Sequence, residues 1–350
     1  MKNIILINEN KNPYIHVKNI HVYIMTNKNI GGMREAERKT RTSKKTITYK
    51  KNNYTRKQKQ QISDKIYDLT DKDVIDDFNK LCEIGCNYHT ELSNYGTKVV
   101  NKYTLIERLN TSGKQNVNFY DLYKNKEYFK NKPYVKKIIR FYKKNRKNYD
   151  ETKVFFRLSN LYFSAVSVFK PLIAMRIYCT FKPRCILDFT MGWGGRLVGA
   201  CALNISKYIG IDNNASLKIP YDNMCKFLKK HSKTDVELYF RNALDIDYSK
   251  LDYDLVLTSP PYYNIEIYGE SPSSQVKTKE EWNRDFYIPI FERTFKYLKK
   301  GGHYCLNIPI EIYDNVAIKV LGKAAKKIPL LKYKRSFTKD YNEYIYIWEK

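Results

Sequence analysis

A short apolar run that ends in an acid, then turns at once through glycines into a helix, leaves a chain few folding options. Residues Cys185-Ile186-Leu187-Asp188-Phe189-Thr190-Met191-Gly192-Trp193-Gly194-Gly195-Arg196-Leu197 have that form. The apolar run predicts a buried strand. The glycines permit positive φ and let a ligand approach the backbone closely. The helix that follows presents unpaired N–H groups at its start. From about residue 156 to the end, such apolar runs alternate with helical patterns. That alternation predicts an α/β domain, a mostly parallel Rossmann-like sheet with helices on both faces. Strands are expected near residues 185–189, 208–212, 236–240, 255–258, 303–307 and 344–348. In an open sheet of this kind, ligands sit beyond the carboxyl ends of the strands.

The next strands narrow the ligand. Tyr208-Ile209-Gly210-Ile211-Asp212-Asn213 ends in a second acid. A carboxylate there can accept hydrogen bonds from both ribose hydroxyls of an adenosine. The third strand runs into Arg241-Asn242-Ala243-Leu244-Asp245, where Asn242 or Asp245 could meet an adenine amino group. The fourth runs Leu255-Val256-Leu257-Thr258 straight into Ser259-Pro260-Pro261-Tyr262-Tyr263-Asn264. Each proline removes a donor and fixes φ, so nearby carbonyls are held rigid and unpaired. A fixed carbonyl beside a short polar side chain can accept both hydrogens of an –NH2 group. An aromatic ring that follows can stack on the base carrying it.

Together these motifs resemble those of the class I methyltransferases that use S-adenosylmethionine. The loop Thr258-Ser259-Pro260-Pro261-Tyr262 resembles that of the N4-cytosine and N6-adenine amino-methyltransferases. The likeness covers roughly residues 165–350. It implies that Asp188 lies near the amino-acid portion of S-adenosylmethionine and that Asp212 and Asn213 hold its ribose. Lys170, in Phe169-Lys170-Pro171-Leu172, would help close over the methionine moiety, beside Thr190, Gly192 and Gly194. Ser259, Pro260, Pro261 and Tyr262 would form the catalytic loop, with Tyr262 receiving a base flipped out of its stack. Asn242 departs from the aspartate more usual at that place. The expected activity is methylation of a cytosine N4 or adenine N6 amino group in DNA. An RNA enzyme of the same chemistry is the alternative, and a catalytically inactive nucleic-acid-binding subunit is the alternative of another class.

The 350 residues carry a formal net charge of +28. Lys, Asn, Ile and Tyr are all over-used, so codon bias accounts for part of it. Residues 1–160 nevertheless hold 35 lysines and arginines against 16 aspartates and glutamates. Basicity concentrated in this way predicts a polyanionic partner. DNA is expected in preference to RNA. Within residues 130–148, Val135, Ile138, Ile139 and Tyr142 make one apolar helix face, while Lys136, Lys137, Arg140, Lys143 and Lys144 fill the others. That basic face is the candidate nucleic-acid surface. The expected organisation is a basic arm over 1–60 with a short hairpin near its start, a mainly helical target-recognition region over 61–155, and the methyltransferase domain over 156–350. No apolar run approaches the length of a membrane span, and the protein is expected to be intracellular. Seven scattered cysteines are expected to be reduced. Cys82, Cys86 and His89 have a hint of metal-ligand spacing but lack a fourth ligand, so no metal is expected.

Overall fold

In a computed structural model of the chain, residues 49–87, 93–112, 116–145, 149–163, 166–263, 277–330 and 344–350 are described. The expected hairpin near the start, His89 and Asn264 lie outside them. Thr48–Lys350 form one compact unit.

Its centre is a seven-stranded sheet built from β1 (Cys185–Asp188), β2 (Lys207–Asp212), β3 (Asp235–Phe240), β4 (Leu255–Thr258), β5 (His303–Ile308), β6 (Lys326–Pro329) and β7 (Tyr344–Glu349). The order is β3-β2-β1-β4-β5-β7-β6. Strands β1 to β5 pair in parallel, and β7 runs antiparallel between β5 and β6. All six expected strands are present within a residue or so. The sheet also contains β6, which has a single buried residue in a Lys-Lys-Ile-Pro sequence and so no apolar run to announce it. This is the Rossmann-like fold of class I methyltransferases, with a helical region ahead of it. The strand order reverses between β1 and β4, so the switch-point crevice opens where the glycine turn and the proline loop emerge.

Ahead of the sheet come α1 (Arg56–Asp64), α2 (Asp71–Ile84), α3 (Thr97–Asn110), α4 (Phe119–Lys124), α5 (Lys126–Lys130), α6 (Pro133–Asn145), α7 (Glu151–Tyr162) and α8 (Pro171–Phe181). Several have the start signals their sequences promise. Thr55, Thr70 and Asn118 each cap a helix reciprocally with the residue three places on, satisfying two otherwise orphaned donors per helix. Within the sheet domain, α9 (Gly195–Ala202) and α10 (Lys218–Leu228) follow β1 and β2, while α11 (Lys279–Trp282) continues through a π-turn into α12 (Ile288–Lys296).

Alternation along the strands feeds two cores. Ile186, Tyr208, Leu257, Cys305 and Ile347 face one side, against α8, α9 and α10. Leu187, Ile209, Val256, Leu306 and Tyr346 face the other, against Tyr287, Ile290 and Phe291. A third cluster lies among α1 and α3–α7. Helix α3 belongs to two of them: Val99 and Val100 join the sheet core, while Leu105, Ile106 and Leu109 join the helical one. The upstream helices therefore pack on the sheet domain itself. Helix α7 crosses residue 156 and buries Val154, Phe155 and Leu158 in the helical cluster.

The reading of every cysteine as a reduced thiol is corrected. Cys86, just beyond α2, is disulfide-bonded to Cys179 of α8 across a sequence separation of 93. Packing of both helices on one core brings the two together, which no local spacing could reveal. Among the described residues, no helix is long and apolar enough to cross a membrane.

Candidate active site

Two loops meet at the switch point, and one buried carboxylate joins them. Asp188, the last residue of β1, is fully buried. Its oxygens accept from Arg196 Nε at 2.6 Å and Nη2 at 3.1 Å, from Tyr208 OH at 2.6 Å and from Thr258 Oγ1 at 2.8 Å. Those donors come from α9, β2 and β4. Arg196 also donates to the Thr190 carbonyl, and Thr190 Oγ1 lies 2.6 Å from Thr258 Oγ1. Burial works against the Arg196 charge, but the facing carboxylate outweighs it and pushes the guanidinium above its ordinary range. Asp188 was expected beside the cofactor. In the structure its partners belong to the protein, and it ties the glycine turn to the proline loop.

The glycine turn is shaped for close approach. Gly192 has φ +58°, and an added Cβ there would meet only the Thr190 carbonyl, at 3.8 Å. That is open space above a backbone only glycine adopts easily. Gly195 is the opposite case: a Cβ would come within 1.8 Å of the Phe169 carbonyl. The segment carrying Lys170 is thereby held against the start of α9. Lys170 itself is the N-cap residue of α8, half-buried, with its pKa lowered by loss of hydration. Helix α3 braces the same turn, because Thr104 Oγ1 donates to the Trp193 carbonyl at 3.1 Å.

Asp212 stands half-buried at the end of β2. It accepts from Gly192 N at 2.9 Å and from Asn214 N at 2.8 Å. Burial raises its pKa to about 6, although both backbone donors work the other way. Asn213 beside it is exposed. At the end of β3, Asn242 uses its side-chain oxygen to cap a short turn, accepting from Leu244 N at 3.1 Å. Asp245 is exposed in that turn. The carboxyl ends of β1, β2 and β3 thus present an open glycine backbone, a carboxylate and a polar turn in a row. This donor and acceptor set fits an adenosine bearing an amino-acid tail.

The proline loop follows β4. Ser259 Oγ donates its proton to Asn307 Oδ1 at 3.2 Å, which leaves its lone pairs to accept. Asn307, buried at the end of β5, also accepts from Tyr262 OH at 3.1 Å on Oδ1 and 3.2 Å on its carbonyl, and donates Nδ2 to the Tyr344 carbonyl at 3.2 Å. Tyr262, expected as the base-receiving surface, is half-buried with its hydroxyl tied inward. Tyr263 adopts φ +52°, a left-handed conformation costly for a bulky residue. Tyr287 holds it there, accepting from Tyr263 N at 3.1 Å and donating to the Pro261 carbonyl. Sequence reasoning placed Thr258 in the loop without its bond to Asp188, and missed Arg196, Tyr208, Tyr287 and Asn307 as parts of the site. Only Asn307 had a signal, a polar residue closing an apolar strand opposite the proline loop.

The basic residues proposed for nucleic acid are on α6. Its face of Val135, Ile138 and Tyr142 is buried, and Lys136, Lys137, Arg140, Lys143 and Lys144 are exposed.

No family model matches the chain. No curated protein matches it either. Among solved structures, TrmN from Thermus thermophilus is similar at 14% identity and TM-score 0.36, over 51% of this chain and 48% of that one. An rRNA methylase from Streptococcus thermophilus is similar at 15% identity and TM-score 0.32, over 47% of this chain and 86% of that one. A tRNA (m1A58) methyltransferase, TrmI from Aquifex aeolicus, is similar at 11% identity and TM-score 0.34, over 53% of this chain and 70% of that one. The chain thus spans about half the length of the first of these. At these identities the likeness is one of fold alone. The expected preference for DNA over RNA is corrected on this finding, since two of the structures are named for rRNA and tRNA.

Proposed function

We propose that the chain methylates an exocyclic amino group of a base in RNA, using S-adenosylmethionine. The observation that carries this reading is the Ser259–Asn307 bond, which commits the serine proton and leaves its oxygen as an acceptor beside two prolines at the switch point. An exocyclic amine is a poor nucleophile because its lone pair is delocalised into the ring. Ser259 Oγ and the Pro260 carbonyl would accept its two hydrogens and favour a pyramidal nitrogen. Bound S-adenosylmethionine supplies an already activated methyl group. The protein's task is therefore positioning. Serine is not a base at neutral pH, so the surplus proton leaves to water after transfer. The test is mass spectrometry of nucleosides from RNA and DNA incubated with the protein and labelled cofactor. Label on an amino nitrogen of an RNA base is expected. Label in DNA alone, or in neither, would sink the reading.

Asp212 gives a second test. Ribose hydroxyls donate, so they need the ionised carboxylate. With its pKa near 6, cofactor affinity is expected to be flat above that pH and to fall towards tenfold per unit below it. Calorimetric titration between about pH 5 and 8 measures this, and Asp212→Asn should weaken binding and abolish the dependence. For the free protein the sign is opposite. A carboxyl whose pKa is raised on folding contributes stability below its unfolded value of 3.8, lost as pH rises through about 6. A cofactor affinity independent of pH in this range would remove Asp212 from the ribose site.

A further inference from the structure

Helix α6 separates two hollows on the protein surface. One, of about 640 Å³, is lined by Lys137, Arg140 and Lys144 with Phe141 and Pro133. The other, of about 420 Å³, is lined by Lys136, Arg140 and Lys143 with Ile139 and Tyr149. Arg140 lines both. Each hollow therefore combines a cationic wall with an aromatic ring. Lys143 Nζ already lies 5.4 Å from the Tyr149 ring centroid, within cation–π range. The cations are not consumed locally. Glu151 and Lys130 also line the second hollow, and this acid is taken by Lys126 at 2.8 Å and Lys130 at 2.7 Å. Lys136, Arg140, Lys143 and Lys144 have no acidic partner among the described residues.

Cations alone would suit any polyanion. The rings discriminate. A duplex offers phosphates but keeps its bases stacked inside, whereas a single strand can lay an unstacked base on an aromatic face. We propose that α6 is a ridge straddled by a single-stranded segment of the RNA substrate. Its phosphates would lie along Lys136, Arg140, Lys143 and Lys144, with one base against Phe141 and another against Tyr149. This proposal rests on the reading of the chain as an RNA enzyme and locates its strand-holding surface.

The experiment is fluorescence anisotropy with a short fluorescein-labelled single-stranded RNA, the same RNA annealed to its complement, and DNA of the same sequence. The full-length protein is used without cofactor. Single-stranded RNA is expected to bind tightest. Arg140→Glu should weaken it by roughly tenfold or more and flatten the salt dependence. Phe141→Ala and Tyr149→Ala should each weaken it by roughly 5- to 150-fold, the range for one lost stack. Phe141→Trp and Tyr149→Phe keep a ring and should bind as the parent does, which separates lost stacking from lost folding. Duplex binding as tight as single-strand binding, ring-deleting variants without effect, or equal affinity for DNA would each overturn the proposal. Arg140-dependent RNA binding with no methylated RNA nucleoside would instead leave the ridge standing and remove the enzyme reading.

Discussion

Replacing Ser259 by alanine is expected to lower the rate of methyl transfer on the order of 100-fold while leaving the affinity for S-adenosylmethionine unchanged. The asymmetry follows from the contacts. Ser259 Oγ bonds Asn307 and lies 3.4 Å from Tyr262 OH, and it has no bond to the glycine turn. On the proposed reading, its removal deletes an acceptor for the amine, where positive charge develops as the nitrogen is methylated. An acceptor positioned for developing charge acts mainly on kcat. Tyr262→Phe keeps the ring and loses two bonds to Asn307, so a smaller loss with the same split is expected. Single-turnover transfer and cofactor titration on the same preparations separate the two quantities. If affinity falls in step with rate, the serine supports the fold and does not address the amine.

How much of this was legible beforehand depended on the range of the interaction. Strand β4 was read to the residue because four consecutive apolar or β-branched positions end one residue short of a double proline. The glycine turn and Asp212 were legible for the same local reason. What was not legible are partners that only the sheet brings together. Thr258 and Asp188 are 70 residues apart and bond at 2.8 Å, while Ser259 and Asn307 are 48 apart and bond at 3.2 Å. Nothing in either sequence neighbourhood names the other. The upstream helices show a different limit. Their basic composition describes the surface, and from it the region read as a separate recognition unit. Composition is silent about the buried side of α3, where Val99 and Val100 enter the sheet core and Thr104 holds the glycine turn. Charge predicted a partner but not its kind, and the choice of DNA over RNA drawn from it did not survive.

The largest effect on stability is expected at Arg196, a residue that the motif pattern marked only as the start of a helix. Arg196→Met keeps most of the side-chain volume but leaves the Asp188 carboxyl without its counter-ion in a fully buried position. Breaking a buried pair from one side typically costs about 3–5 kcal/mol, because the remaining charge has lost its counter-ion and cannot regain water. Tyr208 and Thr258 still donate to Asp188, which places the expected loss towards the lower end of that range. Asp188→Asn should be costly for the converse reason, stranding the guanidinium. The double variant Asp188→Asn with Arg196→Met removes both charges, so its cost should fall well short of the sum of the singles. Denaturant unfolding of the four proteins measures this coupling. The same set reads out function, because Asp188 is the group that β1, β2, α9 and β4 share. Even where the double variant regains stability, the Thr190–Arg196 bond is gone, so the glycine turn and the proline loop lose a common anchor. Transfer is then expected to remain impaired in the refolded double variant. A single Arg196→Met protein within about 1 kcal/mol of the parent would mean that water reaches Asp188, and that the two halves of the site are held together by packing alone.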